Sequence, residues 1–411
     1  MHDALQYADA HLDDFTRELE ELLRIPSVST DPDHADDVER CAAWLADHFR
    51  EIGMSGAEVI DTDGHPVVYA EHTAAPDHAP TVLVYGHYDV QPPDPLDLWN
   101  SDPFEPTRRD GALYARGACD DKGQLFMHLK AAEAYLETAG ELPLNLKFVV
   151  EGEEETGSTH LPPFIDDHKA RLDADVVLIS DTAMFAPDVP SITYGLRGLA
   201  YVEVVLIGPN RDLHSGIYGG GVENPANALA RLISGLHTDE HRVNIAGFYD
   251  DVRDLTEEER ATYRALPFDE AEWKESVGVE AVRTEDGYSL LEAITARPTL
   301  DVNGLWSGYQ GEGAKTVLPA KAGAKISTRL VPDQQPADIA RKLKRYFETR
   351  LPDTMKLDFR DLHGGQPVLM DRDHPAMQAA ADALEGTFER EPFFTREGGT
   401  IPVIADFEER L

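Results

Sequence analysis

The sequence predicts an α/β fold, a domain with a mostly parallel sheet carrying an inserted, smaller α+β domain. Three observations predict it. Short apolar, β-rich runs, "TVLVYGH" (81–87), "LNLKFVV" (144–150) and "DADVVLISD" (173–181), alternate with amphipathic stretches of helical period, which is the pattern of βαβ units. The 411 residues exceed what one core accommodates, which favours two domains. Beyond "YGLRG" (194–198) the pattern changes to strand–helix units separated by a long acidic, irregular stretch.

Taken in order, Leu5, Ala8, Leu12, Phe15, Leu19 and Leu22 recur near helical spacing, and Pro26 of "IPSVS" ends that helix. A second helix covers roughly 38–53. The strand at 81–87 leads into "DKGQLFMHLKAAEAYLETAG" (121–140), an amphipathic helix closed by Gly140. The inserted domain opens with the strand "AYVEVVLIG" (200–208) and a helix starting at Asn224, with Pro225 in its first turn. It closes with the strand "AGAKISTRLV" (322–331), the helix "PADIARKLKRYFETRL" (336–351) and the strand "MKLDFRDL" (355–362). "HGG" (363–365) reads as the return, giving a first domain of 1–196 and 363–411 and an inserted domain of 197–362.

Asp and Glu number 77 against 37 Lys and Arg, a net charge of −40. Such a surface repels nucleic acid and anionic membranes and attracts cations. With lysine scarce, it also predicts a protein that needs salt to screen its self-repulsion. No apolar run reaches the ~20 residues that cross a bilayer. The acidic start lacks the pattern of a signal peptide, and two cysteines imply no disulfide framework. A cytoplasmic protein is expected.

The chemistry gathers where strands end. In "YGHYDVQP" (85–92), His87 and Asp89 are two residues apart, so one face of a strand carries both. A carboxylate beside an imidazole is how proteins orient a metal-binding histidine. "RGACDDKG" (116–123) places Asp120 and Asp121 just before a helix, where Asp121 also reads as a cap. "EGEEETGS" (151–158) sets Glu153, Glu154 and Glu155 after the second apolar run, and Asp181 ends the third. Carboxyl ends of parallel strands converge on one crevice. Carboxylates crowded there around an imidazole need a cation, and the donor set suits zinc or manganese.

These segments, with "DLHSG" (212–216), "KTVLPAK" (315–321), "STRLVPDQ" (327–334) and "TREGGTIPV" (395–403), resemble in order the di-metal amidohydrolases that include carnosinase-type dipeptidases, glutamate carboxypeptidases and aminoacylases. The cytosolic nonspecific dipeptidase and carnosinase branch is the most similar. The resemblance implies two divalent ions, Zn or Mn. His87 and Asp181 would bind one, Glu155 the other, and Asp120 would bridge them. Asp89 would orient His87. The resemblance implies amide hydrolysis of dipeptides or short peptides by a metal-bridged hydroxide, with Glu154 as general base. His214 would stabilise the oxyanion, supplied by the other subunit of a homodimer formed through the inserted domain. Arg329 would clamp the substrate's carboxylate, with Thr316, Arg396, Gly398 and Gly399 as further contacts; a strand arginine in so acidic a chain otherwise reads as a salt-bridge partner. Glu153 matches no role and reads as surface.

The resemblance also implies a last histidine ligand downstream of "TREGGTIPV". The sequence given ends at Leu411 in "IADFEERL", which reads as a truncated form; a chain ending there would hold the second ion through Asp120 and Glu155 and more weakly, unless His363 or His374 took the histidine's place. The alternatives are an N-acyl amino acid deacylase or carboxypeptidase using the same site, and a non-catalytic oligomeric protein that binds metal.

Overall fold

The computed structural model describes residues 2–76 and 78–411. The chain divides into two compact units, Met1–Ala183 with Pro402–Leu411, and Met184–Ile401. The fold is α/β with mixed sheets. Among the described residues no helix is long and apolar enough to cross a membrane.

The first unit is built on a five-stranded sheet in the order Ser55–Ile60, Val67–His72, Asn145–Glu151, Thr81–His87, Val176–Ile179. The last three strands are mutually parallel. They are joined through the helices Lys122–Ala139 and Leu161–Leu172, and parallel neighbours need such crossovers. The first two strands form a hairpin and join antiparallel. The expectation of a mostly parallel sheet is therefore corrected to a mixed one: the 55–72 segment is too short to carry a crossover helix. Val84, Phe148 and Val150 from the sheet meet Leu125 and Leu129 of one helix and Leu45 and Phe49 of Ala35–Glu51 in one core. Gly140 ends the helix Lys122–Ala139 at φ 72°, and its N–H bonds Leu136 O, the left-handed stop that glycine tolerates.

The second unit holds a four-stranded antiparallel sheet, in the order Thr299–Ser307, Lys321–Leu330, Gly198–Ile207, Lys356–Gly365. Along Gly198–Ile207 the alternate residues Ala200, Val202, Val204 and Leu206 are buried. They pack with Leu229 and Leu232 of the helix Pro225–Ser234 and with Ile339, Leu343 and Phe347 of Pro336–Arg350. Asn224 caps the first of these helices, its side chain accepting from Ala226 N at 2.8 Å. A separate three-stranded sheet joins Val368–Leu369, Ser191–Leu196 and Phe393–Glu397.

Three sequence expectations change here. The acidic stretch expected to be irregular contains the helices Glu257–Ala265, Glu270–Val277 and Leu290–Ala296. Two of them start in capping boxes, Thr256 with Glu259 and Ser289 with Glu292. "HGG" is no return segment but the end of the strand Lys356–Gly365. The contacts divide the chain at 183/184 and 401/402, where the sequence reading drew 196/197 and 362/363. The three-stranded sheet explains the difference, because it carries residues 191–196 and 393–397 into the second unit.

Candidate active site

His87 is the last residue of the middle strand of the three parallel ones. Its neighbours end on the same side, so one continues into the turn Glu154–Thr156 and the other into Asp181. This is the edge where open α/β sheets bind ligands. His87 is fully buried. Its Nε2 lies 3.2 Å from Asp120 Oδ1 and 3.8 Å from Asp181 Oδ2, yet has no hydrogen-bond partner among the described residues. One donor atom from each of His87, Asp120 and Asp181 falls within 4.8 Å of the other two. The peptide between Asp120 and Asp121 is cis.

Asp89, also fully buried, organises the other side. His87 Nδ1 lies 3.1 Å from its carbonyl oxygen and 3.3 Å from Oδ1. The same carboxylate accepts Glu154 N–H at 3.2 Å on Oδ1, and Glu155 N–H at 3.1 Å and Ser29 Oγ–H at 2.6 Å on Oδ2. One side chain thus fixes the imidazole and the backbone of the glutamate turn together. Gln91 Nε2 donates to Glu155 Oε2 at 2.6 Å.

Two readings are corrected. Glu153 is not surface: it is 9% exposed, accepting His65 N–H on Oε1 at 3.2 Å and facing His160 Nδ1 from Oε2 at 2.7 Å. A charged residue is buried there because both oxygens have partners. Asp121 starts the helix Lys122–Ala139 but makes no side-chain cap. It turns inward, accepting His87 N–H on Oδ2 at 3.2 Å, with Oδ1 buried and unpartnered among the described residues.

The electrostatics are those of a crowded anionic site. Burial raises Glu154 to about 7, helped by Asp181 and Glu155 and opposed by His87. Burial raises Asp121 to about 7 as well. Glu155 and Asp181 are raised, first by burial and then by neighbouring carboxylates. Burial would lower His87, but its contacts with Asp120 and Asp89 outweigh this and hold it well above its usual range. Behind the turn, burial raises Glu151 to about 8, with Tyr85 Oη and Ser158 Oγ donating to it. A partnerless buried imidazole nitrogen among carboxylates that repel one another fits a divalent cation.

The second unit gathers the remaining predicted residues in three places. His214 is exposed; its Nδ1 accepts from Gly216 N at 3.0 Å, and Thr316 Oγ1 lies 3.4 Å from its Nε2. The fold thus joins two motifs 102 positions apart. Arg329 Nη1 donates to Thr400 Oγ1 at 2.9 Å. Arg197 lies close by, lowered to about 10 by burial and then by the Arg329 charge. Arg197 Nε donates to Gly398 O at 3.2 Å, and a Cβ on Gly398 would lie 2.6 Å from Ile294 O, whereas Gly399 faces open space. Arg396 is engaged internally, by Nε to Tyr194 Oη at 3.1 Å and by an ion pair to Glu259. That is the salt-bridge alternative for a strand arginine. Ser29, Gln91, His65, His160 and Arg197 are additions that no local spacing in the sequence marks.

The chain is similar to the Cys-Gly metallodipeptidase dug1 of Schizosaccharomyces pombe, at 35% identity over 418 aligned residues covering 98% of this chain and 88% of the relative. It is similar to the Beta-Ala-His dipeptidase of Homo sapiens at 34% over 421 aligned residues, covering 98% and 83%. Among solved structures, the di-peptidase Dug1p from Saccharomyces cerevisiae matches with a TM-score of 0.83 at 30% identity, over 100% of this chain and 89% of that one. Human carnosine dipeptidase 1 matches with a TM-score of 0.83 at 32% identity, over 99% and 89%. The sequence profile of peptidase family M20/M25/M40 matches residues 83–409, a span that holds all three strand-end clusters. His87 with Asp120 and Asp181 offers a donor set that fits a metal ion, and by this match the chain belongs to peptidase family M20/M25/M40, hydrolases acting on peptide bonds.

Proposed function

We propose that the protein hydrolyses dipeptides with two divalent ions, zinc or manganese. His87 and Asp181 would hold one ion, Glu155 the other, and Asp120 would lie between them. The observation that carries this reading is the buried, partnerless His87 Nε2 with Asp120 and Asp181 donors around it. Imidazole with carboxylates and no thiolate suits these metals. When bound, the ions act as Lewis acids on the scissile carbonyl and make water easier to deprotonate.

The rest falls to the chain's own groups. The Glu154 carboxylate takes a proton from the attacking water and delivers it to the departing amine nitrogen. Asp89 keeps Glu154 in place through its backbone N–H and keeps His87 Nδ1 engaged, so that Nε2 is free for the metal. Arg329 is the candidate for the substrate's terminal carboxylate, for which a guanidinium fork is suited. Thr316, Gly398 and Gly399 are further contacts in this reading. His214 would stabilise the tetrahedral oxyanion from the second subunit of a homodimer formed through the inserted lid domain. Its exposed ring beside Thr316 supports a role outside the unit's own core. Two unpaired cysteines, Cys41 and Cys119, are consistent with a reducing cytoplasm.

The test is a hydrolysis screen of Cys-Gly, β-Ala-His and other dipeptides beside N-acyl amino acids, with zinc, manganese or cobalt, at low and high salt. Dipeptide turnover with two ions per chain is expected. Preference for N-acyl amino acids would overturn the substrate assignment, and hydrolysis without metal would overturn the centre.

A further inference from the structure

The segment 25–29, "IPSVS", does more than end the first helix. It runs beside residues 88–90 as a strap. Ser27 Oγ donates to Tyr88 O at 2.6 Å, Val90 N donates to Ser27 O at 3.0 Å, and Val28 pairs with Val90 in a parallel bridge. Ser27 and Val28 are buried. At one end Lys122 Nζ, fully buried, donates to Ile25 O at 2.8 Å and Leu22 O at 3.2 Å. At the other, His65 Nε2 lies 3.2 Å from Ser29 O. The strap is therefore held by the residue that follows Asp120 and Asp121, and by the loop whose backbone bonds Glu153.

We propose that Ser29 is a positioning residue of the metal centre, locking the rotation of the Asp89 carboxylate and, through it, His87, Glu154 and Glu155. The inference rests on the proposed roles of those residues. Asp89 is 0% exposed, and a buried carboxylate is stable only when its lone pairs meet donors. Two of its donors are backbone N–H groups of the glutamate turn, at 3.2 and 3.1 Å. Among the described residues the closest side-chain donor is Ser29 Oγ, at 2.6 Å, with His87 Nδ1 farther off at 3.3 Å from Oδ1. Because Oδ2 receives both Ser29 and Glu155, the hydroxyl sets the plane in which Oδ1 meets Glu154 N–H and faces His87 Nδ1. Without it the carboxylate can turn, and three groups lose one common reference.

The test compares Ser29→Ala, Ser29→Thr and Asp89→Ala in the full chain. Two quantities are read: zinc affinity, by calorimetric titration of zinc chloride into metal-free protein, and steady-state hydrolysis of Cys-Gly. Ser29→Ala is expected to weaken zinc binding and to lower kcat, each roughly 10–100-fold, with KM within about twofold. Ser29→Thr, which keeps the hydroxyl, should restore both to within about threefold, and the thermal midpoint of the metal-free protein should fall in Ser29→Ala, where the buried carboxylate loses a donor, and recover in Ser29→Thr. Parent-like zinc affinity and kcat in Ser29→Ala, with Asp89→Ala impaired, overturn the inference alone. Equal loss in Ser29→Ala and Ser29→Thr overturns it too, because the hydroxyl would then not be the cause. Unimpaired Asp89→Ala overturns both the inference and the site reading beneath it.

Discussion

Glu153 Oε2 and His160 Nδ1 stand 2.7 Å apart at the base of the glutamate turn. This pair anchors the turn, while the next two carboxylates face the site. Glu153 also accepts His65 N–H, so removing it leaves a half-buried amide without that partner. Glu153→Ala should destabilise the metal-free protein by about 1–3 kcal/mol, measured by urea unfolding. An unchanged midpoint would mean that the pair adds nothing.

Glu154 and Glu155 should separate by experiment. Glu154→Gln keeps size and polarity but cannot take a proton, so turnover should fall by about 10²–10⁴ with metal stoichiometry unchanged. Glu155→Gln should reduce metal occupancy first, and added metal should recover part of its activity. The reverse pattern would exchange the two roles.

Arg396 and Arg329 make a second contrast. Arg396 and Glu259 are mutually buried, and breaking such a pair strands a charge in the interior. Arg396→Gln should cost about 3–5 kcal/mol of stability. Arg329 meets the neutral Thr400 hydroxyl at 2.9 Å, so Arg329→Gln should leave stability within about 0.5 kcal/mol and raise KM. A stable Arg396→Gln with raised KM would return Arg396 to the substrate.

Part of the candidate site was legible because strands announce themselves through apolar runs: His87, Glu155 and Asp181 lie at or just past the ends of three of them, and Asp120 just before a helix, while the metal roles proposed for them came from the resemblance. Contacts across long sequence separations were not. Ser29 meets Asp89 over 60 positions and Glu259 meets Arg396 over 137, and no local period encodes either pairing. Glu153 was misread for the same reason, since its partners His65 and His160 lie outside the motif. The three helices between 257 and 296 were within reach: "TEEE" and "SLLE" are capping boxes, hidden by the overall acidity. The mixed sheet escaped because a hairpin and a crossover strand look alike in apolar content.

Acid should weaken the fold through His48. It is 7% exposed, accepts from Lys130 Nζ at 2.8 Å, and stacks on Trp44 at 4.8 Å. Burial, then the Lys130 charge, lowers it from 6.5 to about 4. The unfolded chain therefore binds the proton first. The neutral ring's contribution is fully present above pH 6.5 and is lost as pH falls toward about 4, at most about 3 kcal/mol. Urea unfolding of metal-free parent and His48→Gln from pH 7 to 4 should show the parent losing more stability. Parallel curves would place the acid sensitivity elsewhere.

The net charge of −40 carries the last prediction. Ion pairs such as Arg171 with Glu58 and Arg253 with Asp333 use the available bases on the surface, but most carboxylates have no base left to meet. Their repulsion opposes compactness in both units and acts over a screening length of ~10 Å at 0.1 M salt and ~3 Å at 1 M. Raising potassium chloride from 0.1 to about 2 M should therefore raise the thermal midpoint of the metal-free protein by more than about 5 °C. Sodium sulfate at equal ionic strength should do at least as well, because it adds preferential exclusion to screening. A midpoint independent of salt would mean that carboxylate repulsion is already balanced within the fold, and the high-salt reading of the composition would fall.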